Sequence, residues 1–130
     1  MNVHIMHIYG RIRSQSLQGE IEMKAEKNGD CLLVYLSGEI DHCCAEKLRK
    51  DMESLLRDQS IKRLVLDFSR VRFMDSSGIG MLIGRYKTMA ARAGSMRVRN
   101  MQSTVRKLFY MAGLHRIMAD QESEDRKDEK

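Results

Sequence analysis

With 130 residues, 42% apolar and 32% charged, the chain has the length of one domain, enough to bury about two-thirds of its unfolded surface without disulfides or metal. Its net charge of +5 is scattered, aromatics are few and tryptophan is absent, which argues against a nucleic-acid binder. Cys31, Cys43 and Cys44 form no metal-ligand spacing and an odd set, which argues against a zinc site or disulfide scaffold, and no apolar run is long enough to span a membrane.

The expected location is therefore the cytoplasm, with neither a membrane nor a nucleic acid as partner. The 11 methionines are read mainly as fillers of an irregular core.

Residues 1–19 show no sustained period and are read as an N-terminal extension, flexible or an expression remnant. His4, His7, Arg11 and Arg13 interrupt it, so it lacks the apolar core of a secretory signal. A strand is expected over Glu20 to Glu26, where Ile21, Met23 and Ala25 alternate with charged residues. Asn28-Gly29 suits a tight hairpin. Cys31 to Leu36 is nearly continuous in apolar character, which predicts a strand buried on both faces. Gly38 to Asp41 is expected to break it.

A helix follows with Asp41 as its N-cap and an apolar stripe of Ala45, Leu48, Met52 and Leu55. Ile61 to Phe68 reads as a second buried strand. Asp75-Ser76-Ser77-Gly78 opens a second helix, with a stripe of Ile79, Leu82, Ile83, Tyr86 and Ala90 and Gly94 as its stop. Met96 to Arg99 alternates as a short strand. The last expected helix starts at Ser103 or Thr104, uses Val105, Leu108, Phe109 and Ala112, and stops at Gly113. Residues 120–130 are read as a charged, solvated tail, eight of the last ten residues being charged. Hairpin first, then alternating helices and strands, gives an α/β fold: one mixed sheet of about four strands packed against helices.

The segment richest in chemistry is Phe73-Met74-Asp75-Ser76-Ser77-Gly78-Ile79-Gly80, at a helix N-terminus after a buried strand. Asp and Ser there cap unpaired helix amides, and a plain cap is one reading. A strand–serine–helix turn is also the shape of a hydrolase nucleophile elbow, but G-x-S-x-G is absent and neither His42 nor His115 is identifiable as a base. Gly78, Gly80 and Gly84 fit no phosphate-loop spacing, and the last two are read as allowing close helix packing. Phosphorylation is the remaining reading. A phosphate brings roughly −1.5 to −2 charges, which a helix N-terminus tolerates while a docked partner would be repelled. Cap and phosphorylation site both stay open on the residues alone.

The same stretch, continued through Leu82-Ile83-Gly84-Arg85-Tyr86-Lys87, closely resembles the anti-sigma-factor antagonists, single STAS domains of the sporulation type. Gly38-Glu39-Ile40-Asp41-His42 and Val105 to Leu114 match two further family segments in the same order, so the resemblance covers about residues 20–119. It implies partner switching in transcription regulation by a non-enzymatic phosphoprotein without cofactor, metal or catalytic residue. The unphosphorylated antagonist binds an anti-sigma factor with serine kinase activity and frees the sigma factor. The kinase then phosphorylates the first serine of the turn, here Ser76, and a PP2C-type phosphatase resets it.

By the same resemblance Asp75 orients the turn and contacts the kinase, Ser77 caps the helix, and Gly78 and Gly80 permit close approach. Asp41 matches a partner-face position as well as an N-cap. The alternative is a STAS module in another partner-switching pathway, such as a stress response, that does not act on a sporulation sigma factor. The chain departs from the family in its 19-residue leader and in Cys43 and Cys44, which are read as small helix residues.

Overall fold

A computed structural model describes residues 5–13 and 20–121 of the chain. Three strands come first: Ile5–Arg13 (β1), Glu20–Asn28 (β2) and Cys31–Ile40 (β3), each neighbouring pair antiparallel. Asn28 pairs with Cys31 across a two-residue turn, where Gly29 takes φ 63°, a value that costs glycine little. The alternating part then runs His42–Leu55 (α1), Arg63–Met74 (β4), Ser76–Ala91 (α2), Ser95–Arg99 (β5) and Ser103–Met111 (α3). A 3-10 turn over Leu114–Arg116 leads into Ala119–Gln121 (β6).

The sheet order is β1-β2-β3-β4-β5-β6, and the three pairs from β3 onward are parallel. Each helix is thus a crossover to the next parallel strand, and crossovers of one hand moving in one direction stack on one face. The burial alternation agrees: Leu32, Val34, Leu36 and Ile40 are buried while Leu33 and Tyr35 between them are half-buried. β3 is therefore covered on one face, not on both as its apolar run suggests. The core under the helices holds Phe68 and Phe109 among aliphatic side chains and methionines such as Met52, Met81 and Met89.

Several boundaries differ from the sequence reading. No element is assigned there to residues 1–19, yet Ile5–Arg13 pairs with β2 along its whole length. Its apolar residues, Ile5, Met6, Ile8, Tyr9 and Ile12, do not alternate, so periodicity hides a strand that the open hydrogen-bonding edge of β2 specifies. Residues 1–4 and 14–19 lie outside the described residues. β3 does not break at Gly38; it runs to Ile40 because Gly38, at φ 123°, absorbs a register shift against β4.

α2 buries Gly78, Met81, Leu82, Arg85 and Met89, leaves Ile79, Ile83 and Tyr86 partly covered, and exposes Ala90, so its inner face is rotated from the expected stripe. Its left-handed terminal residue is Ala93, at φ 57°, not Gly94. Gly94 answers a different need, since a Cβ there would lie 2.6 Å from the carbonyl oxygen of Lys62. Arg92, just past the helix, satisfies carbonyls around the end of α1: Nη2 donates to Leu56 O at 2.6 Å and Nη1 to Asp58 O and Ile61 O at 3.2 Å.

At the far edge the sheet has six strands rather than about four. The fold reaches Gln121, two residues into the expected tail, because Asp120 is taken up by α3. Its Oδ2 accepts from Arg106 Nε at 2.7 Å and from the Tyr110 hydroxyl at 2.9 Å. Residues 122–130, the rest of that tail, lie outside the described residues.

Candidate functional site

Strands β3 and β4 are parallel and finish in register, Ile40 beside Met74. The next residue of each is an aspartate, Asp41 and Asp75, and each starts a helix from extended backbone. Two helix N-termini therefore emerge side by side at the carboxyl ends of adjacent strands, the usual position of functional residues in open α/β sheets.

Asp41 is buried, 1% exposed, and its Oδ1 accepts from the amides of Cys43 at 3.0 Å and Cys44 at 3.1 Å. The N-cap reading of this residue holds, and its carboxylate is buried. Asp75 divides its two oxygens. Oδ1 accepts from the Ser77 amide at 2.9 Å, capping α2, while Oδ2 accepts from the His42 amide at 3.1 Å, the first residue of α1. The Asp75 amide in turn donates to Ile40 O at 3.2 Å. Asp75, not Ser77, is thus the cap; Ser77 contributes the amide that is capped.

Ser76 occupies the first turn of α2 and is exposed, with half-buried Asp75 and Ser77 on either side. The glycines behind it differ from each other. A Cβ on Gly78 would collide with Met74 Cγ and lie 2.8 Å from Met74 Sδ and 3.1 Å from Ile40 Cγ2, so this glycine lets α2 sit on the strand ends. Around Gly80 and Gly84 a Cβ would meet nothing within 4 Å. The expectation that these two serve close packing inside the domain is overturned.

Gly80 and Gly84 follow Ser76 at intervals of four, so the three positions line one bare lane along α2. Each glycine inside a helix costs about 0.5–1 kcal/mol relative to alanine, and among the described residues no side chain or backbone occupies the space a Cβ would take at these two positions.

His42 is 76% exposed with Nδ1 4.0 Å from Asp75 Oδ2, and Arg72 of β4 pairs with Glu39 of β3 at 3.6 Å. Phe73, two residues before the aspartate that caps α2, stands exposed beside the turn.

The two cysteines divide as well. Cys43 is half-buried, its sulfur 3.5 Å from His42 Nε2. Cys44 is buried, donates to Glu39 O at 3.2 Å, and burial pushes its thiol from the usual 9.0 up to about 11. His115 is remote from Ser76 in the chain and stacks on Tyr110 with ring centroids 4.4 Å apart. Among the described residues no three His, Cys, Asp or Glu side chains converge as metal ligands, and no helix is long and apolar enough to cross a membrane.

The arrangement thus offers an exposed hydroxyl at the positive end of a helix, beside a carboxylate whose two oxygens already hold the turn. Periodicity could not disclose the bridge from Asp75 to α1, because the two residues it joins are 33 apart in sequence.

Residues 22–127 match the sequence profile of the STAS domain. Over 98 residues the chain is 35% identical to an anti-sigma F factor antagonist of Paenibacillus polymyxa, covering 75% of this chain and 84% of that one. It superimposes on the anti-sigma factor antagonist SpoIIAA in its unphosphorylated form with a TM-score of 0.69 at 31% identity, covering 81% of this chain and 91% of that one. Against the Bacillus cell fate determinant SpoIIAA in the phosphorylated form the TM-score is 0.63 at 31% identity, covering 82% and 96%.

Proposed function

The chain belongs to the STAS-domain family, and we propose that within it this protein is an anti-sigma-factor antagonist of the sporulation type, switched off by phosphorylation of Ser76. Its partner is an anti-sigma factor with serine kinase activity, and a PP2C-type phosphatase restores the binding form. The protein itself is the substrate of these reactions, and all three act in the cytoplasm.

The observation that carries the reading is the exposed Ser76 hydroxyl in the first turn of α2, beside a bridging aspartate that fixes the turn without it. A phosphate there meets a helix N-terminus, where the dipole and amide hydrogens favour an anion, so the domain keeps its fold. What changes is the surface. Roughly two negative charges appear beside the Asp75 carboxylate, and at a close interface such like-charge contact costs several kcal/mol. The lane at Gly80 and Gly84 supports a partner lying flush against α2, so that a bulky group at the head of the lane separates the surfaces. That a relative exists in unphosphorylated and phosphorylated forms, both sharing this fold, supports a switch that leaves the domain intact.

The test is intact-mass spectrometry after incubation with ATP and the anti-sigma kinase, followed by fragmentation. One phosphate on Ser76, absent from Ser76→Ala, is the expected result, with the alanine variant still binding the anti-sigma factor. Phosphate on another residue, or loss of binding in the folded alanine variant, would refute the switch.

A further inference from the structure

Between the same two helices lies a charged side chain that the switch does not use. Arg85 of α2 is 4% exposed, and its Nη2 donates to Glu53 Oε2 of α1 at 3.0 Å while Nη1 reaches the Arg49 carbonyl at 3.5 Å. Glu53 Oε2 also accepts from Arg49 Nη1 at 2.7 Å, and Arg49 grips Glu46 on its other side. The Nε of Arg85 has no acceptor among the described residues.

A cation buried with one donor unpaired is a poor way to stabilise an interface, because well-packed apolar residues of similar volume generally do as well or better. Its value lies in geometry. The other buried side chains of α1 and α2 include Ala45, Leu48, Met52, Met81, Leu82 and Met89. None is branched at Cβ and three are methionines, which repack readily and define axial position weakly. A planar guanidinium that must meet one carboxylate and one carbonyl defines it sharply.

The position matters because these helices carry the recognition corner at their N-termini. Among the described residues one hydrogen bond, His42 N–H to Asp75 Oδ2, spans them there, about 14 Å from Arg85 at 1.5 Å per residue. A slide of α1 by one residue would move the His42 amide by about 1.5 Å and break that bond. We propose that Arg85 is a positioning residue for the Ser76 turn: its contacts with Glu53 and the Arg49 carbonyl fix the axial register of α1 against α2 and so keep Asp75 bridging both helix N-termini. In its consequence for phosphorylation the proposal rests on the functional reading above. The bridging itself does not.

The test is amide hydrogen exchange on the full chain carrying Arg85→Met. The Cys44 amide, bonded to Asp41, the N-cap of its own helix, is the internal control. The expected result is His42 exchange faster by about tenfold, the worth of one hydrogen bond, with Cys44 unchanged. If Arg85→Met alone does not fold, the double variant Arg85→Met with Glu53→Met strands no carboxylate and gives the same readout. An unchanged His42 rate, or equal acceleration at His42 and Cys44, overturns the proposal. Because the readout needs no kinase, a failure of wild-type protein to take phosphate on Ser76 would count against the functional reading alone.

Discussion

At Asp75 one carboxylate serves two helices, and that division of labour leaves the neighbouring serine exposed. The same corner holds a second residue whose behaviour depends on its setting. Cys44 follows Cys43 directly, yet only Cys44 is sealed under the sheet end, where burial lifts its thiol to about 11. The sign of the pH effect follows from proton counts. Between 9.0 and about 11 the unfolded chain loses this proton while the folded protein keeps it, so folding stability must fall as pH rises through that window. Below 9.0 both states hold the proton and the contribution is level. Urea denaturation measured from pH 8.5 to 11 is expected to show a steeper decline for the native sequence than for Cys44→Ala. Equal slopes would mean that Cys44 is not sealed from water.

At the scale of the helix, α2 carries glycines that look equivalent in sequence and have opposite energetic meanings. Gly78→Ala places a methyl group into Met74 and Ile40, and overpacking of this kind costs about 1–3 kcal/mol. Gly80→Ala places the same methyl group in open space on an exposed helix face and is expected to stabilise the protein by about 0.5–1 kcal/mol. Chemical denaturation of the two variants should therefore give shifts of opposite sign. On the functional reading, Gly80→Ala should also weaken binding of the anti-sigma factor although the domain is more stable. A gain in stability with full binding would show that the lane on α2 is not a contact surface.

At the scale of the whole molecule, the sheet is covered by helices on one face and its two edges are closed differently. At one edge the three-residue β6 is held by Asp120 under Arg106 and Tyr110. At the other, β1 pairs along the length of β2. Removing residues 1–13 is expected to lower the melting temperature, because the edge donors and acceptors of β2 lose their partners. A melting temperature unchanged by that deletion would show that β1 contributes nothing to stability. This expectation reverses the one that residues 1–19 invite from sequence, where their broken period suggests a segment without a role in the fold.

What the sequence determined by itself was local. The 3–4 spacing of Ala45, Leu48 and Met52, the cap at Asp41, the turn at Gly29 and the stop at Gly113 each depend on a few adjacent residues, and each stands where the pattern puts it. The same holds for the order of crossovers, and so for the α/β class. The tertiary structure decided whatever depends on contacts between distant segments. It chose which face of α2 is buried, because Arg85 pairs with Glu53 of α1 although its residue type suggests solvent. It separated Gly78 and Gly94 from Gly80, because only the first two lie against another part of the chain. It added β1 and β6, because a strand at a sheet edge can be specified by its neighbour's unpaired amides and carbonyls without an alternating pattern of its own. And it joined Asp75 to His42, a bond that exists only because two parallel strands end side by side.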